Sequence, residues 1–115
     1  MFTFRRTGKN DIPVLDAFEL INNNDSNTKL VILDVRSPEE FFEEHIENAE
    51  NLDYNSKNFK IKVNELDKNK KYLVYCHSGM RSSRAIITME KLGFTDIKNI
   101  SGGIRKWKGN GLPTV

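Results

Sequence analysis

Apolar positions fall into two rhythms along this chain. Leu30-Val31-Ile32-Leu33 and Tyr72-Leu73-Val74-Tyr75 are unbroken apolar runs, the pattern of strands buried on both faces of a parallel sheet. Ile97-Lys98-Asn99-Ile100 is a third, shorter strand, and another short strand is expected around Ala49–Leu52. Elsewhere apolar residues recur at helical spacing. Val14, Leu15, Phe18 and Ile21 mark one helix, with Pro13 suited to its first turn. Ser37-Pro38-Glu39-Glu40 combines an N-cap serine, a proline at the first helical position and a capping-box glutamate. The helix it starts should end near His45. Phe59–Leu66 reads as a turn or two of helix. Ala85, Ile86, Met89 and Leu92 describe an amphipathic helix that begins at Ser82 or Ser83 and stops at Gly93. Ile104, Trp107 and Leu112 pack a last helix and tail.

Strands alternating with helices predict an α/β fold, a mainly parallel sheet with helices on both faces. Ligands in such sheets bind at the carboxyl ends of the strands. Arg36, the Cys76–Ser82 segment and Ser101-Gly102-Gly103 each follow a strand, so parallel strands gather all three on one rim. Asn22–Asn27 is a polar connection. No internal repeat or interdomain linker interrupts the pattern.

Length and composition narrow the class. The 115 residues, 37% hydrophobic and 30% charged, suit one domain spanning 1–115 with its core at about 12–113. They exclude disordered and collagen-like chains. No apolar run approaches the roughly 18 residues of a membrane helix. Met1–Arg6 carries charge with no apolar stretch behind it, unlike a secretory signal. A net charge of +2 gives little support to a nucleic-acid partner. It leaves room for a local anion site. The expectation is a cytoplasmic protein with neither a nucleic-acid nor a membrane partner.

The sequence has a single cysteine, Cys76. No intrachain disulfide is possible, and one Cys with His45 and His77 does not match the spacing of a zinc site. No metal or cofactor is expected. A lone cysteine is ordinarily a small buried hydrophobe. Here it sits between a buried strand and a helix, in the small polar loop His77-Ser78-Gly79-Met80-Arg81-Ser82. Gly79 permits positive φ. Inward-facing backbone N–H groups, the helix N-terminus and the Arg81 cation all favour thiolate. The loop reads as shallow, so burial should oppose them only weakly, and Cys76 is expected to be a low-pKa nucleophile.

Four ordered motifs carry a family resemblance. They are Asp34-Val35-Arg36-Ser37-Pro38-Glu39-Glu40-Phe41, His45-Ile46, Tyr75-Cys76-His77-Ser78-Gly79-Met80-Arg81-Ser82, and Gly102-Gly103-Ile104 with Trp107 and Gly111-Leu112-Pro113. Together they resemble the single-domain rhodaneses from about Ile12 to Pro113. One departure is Glu47-Asn48-Ala49-Glu50-Asn51, where the family has Pro-Gly-Ala and an apolar strand. Asn48 can replace a left-handed glycine, so a local change with no loss of fold is expected.

The resemblance implies sulfur transfer in two steps through a Cys76 persulfide. A small sulfane donor such as thiosulfate loads the cysteine. Cyanide, a small thiol or a protein thiol accepts the sulfur. It also implies that the backbone of His77–Ser82 cradles the transferred sulfur, while Arg81 binds the sulfonate end of the donor. Two milder variants keep the fold: a persulfide carrier, and a non-catalytic binding module, which would ordinarily lack the cysteine. Phosphatases and arsenate reductases of this fold have five residues between Cys and Arg. Four lie between Cys76 and Arg81, which favours one sulfur atom over a phosphoryl group.

Other residues take supporting roles. Asp34 should accept hydrogen bonds from loop backbone, and Arg36 should pair with a nearby acid such as Glu40. His45 reads as a helix-end hydrogen bond. His77 should point outward, where it either tunes substrate choice or is merely solvated. Met80 lines the mouth or packs. Arg84 is a solvated helix residue. Trp107, Phe41, Phe42 and Phe94 read as packing.

Overall fold

A computed structural model describes residues 10–23 and 29–115. The Met1–Arg6 stretch and most of the Asn22–Asn27 connection lie outside the described residues. The elements follow in the order β1 (Asp11–Ile12), α1 (Val14–Asn22), β2 (Leu30–Asp34), α2 (Pro38–Glu43), β3 (Glu50–Asn51), α3 (Phe59–Asn64), β4 (Lys71–Tyr75), α4 (Met80–Lys91), β5 (Ile97–Ile100) and α5 (Gly103–Gly109). The five strands form one sheet in the order β1-β5-β4-β2-β3, and every pairing is parallel. This is the α/β architecture that the alternating pattern predicts.

The unbroken apolar runs are explained by burial on two faces. Successive strand side chains point to opposite sides. From β4, Tyr72 and Val74 pack with Phe59 and Val63 of α3 and Ala85, Ile86 and Met89 of α4. Leu73 and Tyr75 pack on the other face with Val14 and Ala17 of α1 and Ile104 and Trp107 of α5. Helices therefore cover both faces. Phe18 meets the Trp107 ring edge-on at 5.7 Å, and the indole N–H donates to the Pro113 carbonyl at 2.8 Å.

Local signals hold closely in most places. Ser37 caps α2, its Oγ accepting from the Glu40 amide while the Glu40 carboxylate accepts from the Ser37 amide. Gly93 adopts φ +101° after α4, and Asn48 adopts φ +69°, the left-handed turn expected where asparagine stands for glycine. Three boundaries differ. Pro13 immediately precedes α1, because Asp11 and Ile12 pair with Asn99 and Ile100 as an edge strand. Helix α2 ends at Glu43, short of His45. Helix α4 begins at Met80, ahead of Ser82, because left-handed Gly79 turns the chain directly into the helix. Phe42 is also a correction. It is 86% exposed, because the six-residue α2 has no buried residue.

Candidate active site

Parallel pairing brings the carboxyl ends of β2, β4 and β5 to one rim. Cys76 leaves the end of β4 and is 1% exposed, so the loop is not shallow. Its Sγ accepts from the Gly79 amide at 3.1 Å. The Ser82 hydroxyl lies 3.4 Å from the sulfur and 3.2 Å from the Gly79 carbonyl. When Cys76 is a thiolate, Ser82 alone has a proton to give in that pair. Burial is the largest single influence on the thiol and raises its pKa. The Ser82 hydroxyl and the amides of Ser82, Gly79 and Ser78 pull the other way and together prevail, so the pKa lies below that of an ordinary thiol. The expected direction holds, although burial is the strong opposing force.

A second loop clamps the first. Ile104 donates its amide to the Cys76 carbonyl at 2.9 Å, and Arg105 donates to that of His77 at 3.0 Å. These contacts need Gly103. Its φ is +64°, and a Cβ there would lie 2.5 Å from the Cys76 carbonyl oxygen and closer still to that of His77. The Gly-Gly pair after β5, expected only as part of the rim, thus makes a close backbone approach at Gly103.

The two supporting residues are joined to each other. The Arg36 guanidinium donates to both oxygens of Asp34, with Nη2 to Oδ2 at 2.7 Å. It also donates to the Glu44 carbonyl at 2.6 Å. Both side chains are nearly inaccessible, at 5% and 0%. Asp34 Oδ1 accepts from the Arg36 amide at 2.9 Å, one of the loop-backbone bonds expected of it. Asn51, in the segment that departs from the family pattern, donates its side-chain amide to the carbonyls of Asp34 and Arg36 at 3.0 and 2.9 Å. The Tyr75 hydroxyl accepts from the Ile46 amide at 3.1 Å. Burial, and then the charge of Asp34, push that phenol far upward, so it stays neutral.

The partner expected for Arg36 belongs to Arg81. Glu40 takes the Arg81 guanidinium with both oxygens, at 2.8 and 3.0 Å. That bond, over the opposing effect of burial, holds the Glu40 carboxyl down to about 2. Arg36 is taken instead by Asp34, two residues back at the end of β2. A cleft of about 380 Å³ beside the loop is lined by Glu40, Glu43, His77, Arg105 and Lys108, among others. His77 is exposed on its edge, and Met80, at 66% exposure, projects to solvent and does not pack. Arg84 is exposed. His45 Nδ1 lies 2.8 Å from the Phe41 carbonyl, the helix-end bond expected. Among the described residues, no group of three or more His, Cys, Asp or Glu side chains could hold a metal ion. No helix there is long and apolar enough to cross a membrane.

Residues 16–110 match the family model of the rhodanese-like domain. The chain belongs to the rhodanese-like family. Two Bacillus subtilis relatives, YqhL and YrkF, are 40% and 38% identical to this rhodanese-like chain over 81 and 95 residues. Those alignments cover 70% and 83% of this chain but 63% and 49% of theirs, so the chain spans less than two thirds of either relative. The name of YrkF proposes a sulfur carrier. The thiosulfate sulfurtransferase GlpE of Coxiella burnetii is 34% identical over 94 residues, 82% of each chain. Among solved structures, a rhodanese-related protein from Thermoplasma volcanium superposes with a TM-score of 0.76 at 33% identity, covering 91% of this chain and 96% of that one. A sulfurtransferase family is the setting in which the cysteine loop is to be read.

Proposed function

We propose that this chain is a sulfurtransferase that moves sulfane sulfur from thiosulfate or a similar donor to a thiophilic acceptor through a persulfide on Cys76. One observation carries the reading. The only cysteine of the chain is buried, yet the Gly79 amide at 3.1 Å and the Ser82 hydroxyl at 3.4 Å meet its sulfur, and the donors of Ser78, Gly79 and Ser82 lower its pKa against that burial. A structural cysteine has no use for those donors, whereas an anionic sulfur needs them.

The chemistry follows from the loop. Cys76 thiolate attacks the outer sulfur of thiosulfate, a new S–S bond forms, and sulfite leaves with the electron pair of the old one. The acceptor then attacks the outer sulfur of the persulfide and regenerates Cys76 thiolate. Cyanide yields thiocyanate, and a thiol yields its own persulfide. No proton transfer to the nucleophile is required, so exposed His77 need not be a base. No cofactor takes part. The likeness to YrkF favours one variant of this reading, a carrier that passes the same persulfide to a protein thiol. The four-residue spacing from Cys76 to Arg81 argues against phosphate ester or arsenate chemistry. Small-molecule donors and acceptors in the cytoplasm, with no nucleic acid or membrane partner, complete the proposal.

The test is intact mass after excess thiosulfate and again after cyanide. The protein should gain one sulfur atom and then lose it, and Cys76→Ser should do neither. A Ser variant that forms thiocyanate at the wild-type rate would remove Cys76 from the mechanism.

A further inference from the structure

The loop cation already has a counter-ion. Glu40 grips Arg81 bidentately at 2.8 and 3.0 Å. It is itself tethered, its Oε1 accepting from the Ser37 amide and hydroxyl at 3.1 Å each. The capping box that starts α2 therefore aims a carboxylate at the arginine of the cysteine loop, from 41 residues away in sequence. The pair remains partly open to solvent, at 26% and 33% side-chain exposure. Its neighbours leave no large surplus of positive charge. Arg36 is matched by Asp34 and Lys108 by Glu44, while Glu43 faces the same cleft as Arg105.

The charge balance of the reaction makes this pairing matter. A Cys76 thiolate approaching thiosulfate brings three negative charges to one loop. A hydropersulfide in its protonated form, the form whose outer sulfur a thiolate can attack, leaves only the single charge of the thiolate itself. We propose that Glu40 is a specificity-determining positioning residue, which by holding Arg81 directs the Cys76 site toward hydropersulfide donors and away from the thiosulfate dianion. This rests on the sulfurtransferase reading given above. The loading step balances without any further reactant. Cys76 thiolate attacks the terminal sulfur of R–S–SH, the new Sγ–S bond forms as the donor S–S bond breaks, and R–S⁻ departs with the electron pair. Cys76 is left as the persulfide Cys76–S–SH.

The experiment compares wild type, Glu40→Gln, and Glu40→Gln combined with Arg81→Gln. Persulfide formation on Cys76 is followed by intact mass against the concentration of thiosulfate and, separately, of cysteine hydropersulfide. Glutamine keeps the capping-box contacts with Ser37 and removes only the charge, and a thermal melt checks that each variant is folded. In Glu40→Gln the rate ratio of thiosulfate to hydropersulfide should rise about tenfold, the scale of one partly exposed charge on a small anion. The gain should appear as a lower half-saturating concentration of thiosulfate and should vanish in the double variant. An unchanged ratio in Glu40→Gln, or a gain that survives loss of Arg81, overturns the proposal. If wild type takes sulfur from neither donor, the sulfurtransferase reading fails, an outcome distinct from a loaded enzyme with unaltered selectivity.

Discussion

Gly103→Ala should disturb the cysteine loop without touching any group that reacts. At φ +64° an alanine Cβ would lie 2.5 Å from the Cys76 carbonyl oxygen, and the obstacle is backbone, which cannot rotate aside. Left-handed backbone costs a non-glycine residue roughly 1–2 kcal/mol, and overpacking typically adds about 1–3 kcal/mol. The expected loss is therefore about 2–5 kcal/mol, a large share of the ~5–15 kcal/mol that folds a domain. Relief requires the two loops to separate, which lengthens the bonds from Ile104 and Arg105 to the carbonyls of Cys76 and His77. Urea denaturation followed by fluorescence of the single, buried Trp107 measures the first effect, and the iodoacetamide rate at Cys76 measures the second. Gly109→Ala is the control. Nothing lies within 4 Å of a Cβ there, so it should be neutral or stabilise by up to about 1 kcal/mol. If Gly103→Ala unfolds within about 0.5 kcal/mol of wild type and alkylates at the same rate, the two loops are not clamped as described.

Ser82→Ala removes the hydroxyl that can donate to the thiolate, so the pH inflection of Cys76 alkylation should move upward and the rate at neutral pH should fall several-fold. Asp34→Ala leaves the buried Arg36 guanidinium without its carboxylate and should cost about 3–5 kcal/mol in urea denaturation. Glu40 titrates near 2 in the fold, against an ordinary 4.5, so its contribution is complete above about pH 4.5 and is lost as pH falls toward 2. The difference in Tm between wild type and Glu40→Gln should therefore close across that acid range, and a difference constant with pH would contradict the pairing with Arg81.

Most of the frame was legible because its causes are local. The two apolar runs each face two helical layers, and the capping box of Ser37 and Glu40 names its own helix start. Parallel strands place Arg36, Cys76 and Gly103 on one rim from the order of the elements alone. What stayed hidden depends on long-range geometry. Glu40 looked like the natural partner of Arg36 at helical spacing, yet its partner lies across the rim on α4. Phe42 carried an apolar residue's expectation of burial, but a helix of six residues with no buried side chain gives it nothing to pack on. The depth of Cys76 was underestimated for a similar reason. A loop that is small and polar in sequence can still be roofed by another, and Gly103 is what lets the roof descend.

The placement of β4 has a kinetic meaning. It is bonded on both sides, to β2 and to β5, so its amides should be among the last in the domain to exchange with solvent. The Cys76 sulfur is attached to the end of that slow strand, while His77 and Ser78, directly beyond it, are exposed. A reagent that alkylates Cys76 should therefore reach it by local opening of the loop, at a rate that does not follow global stability. Destabilising substitutions elsewhere in the core should leave the alkylation rate of Cys76 unchanged until the sheet itself begins to open.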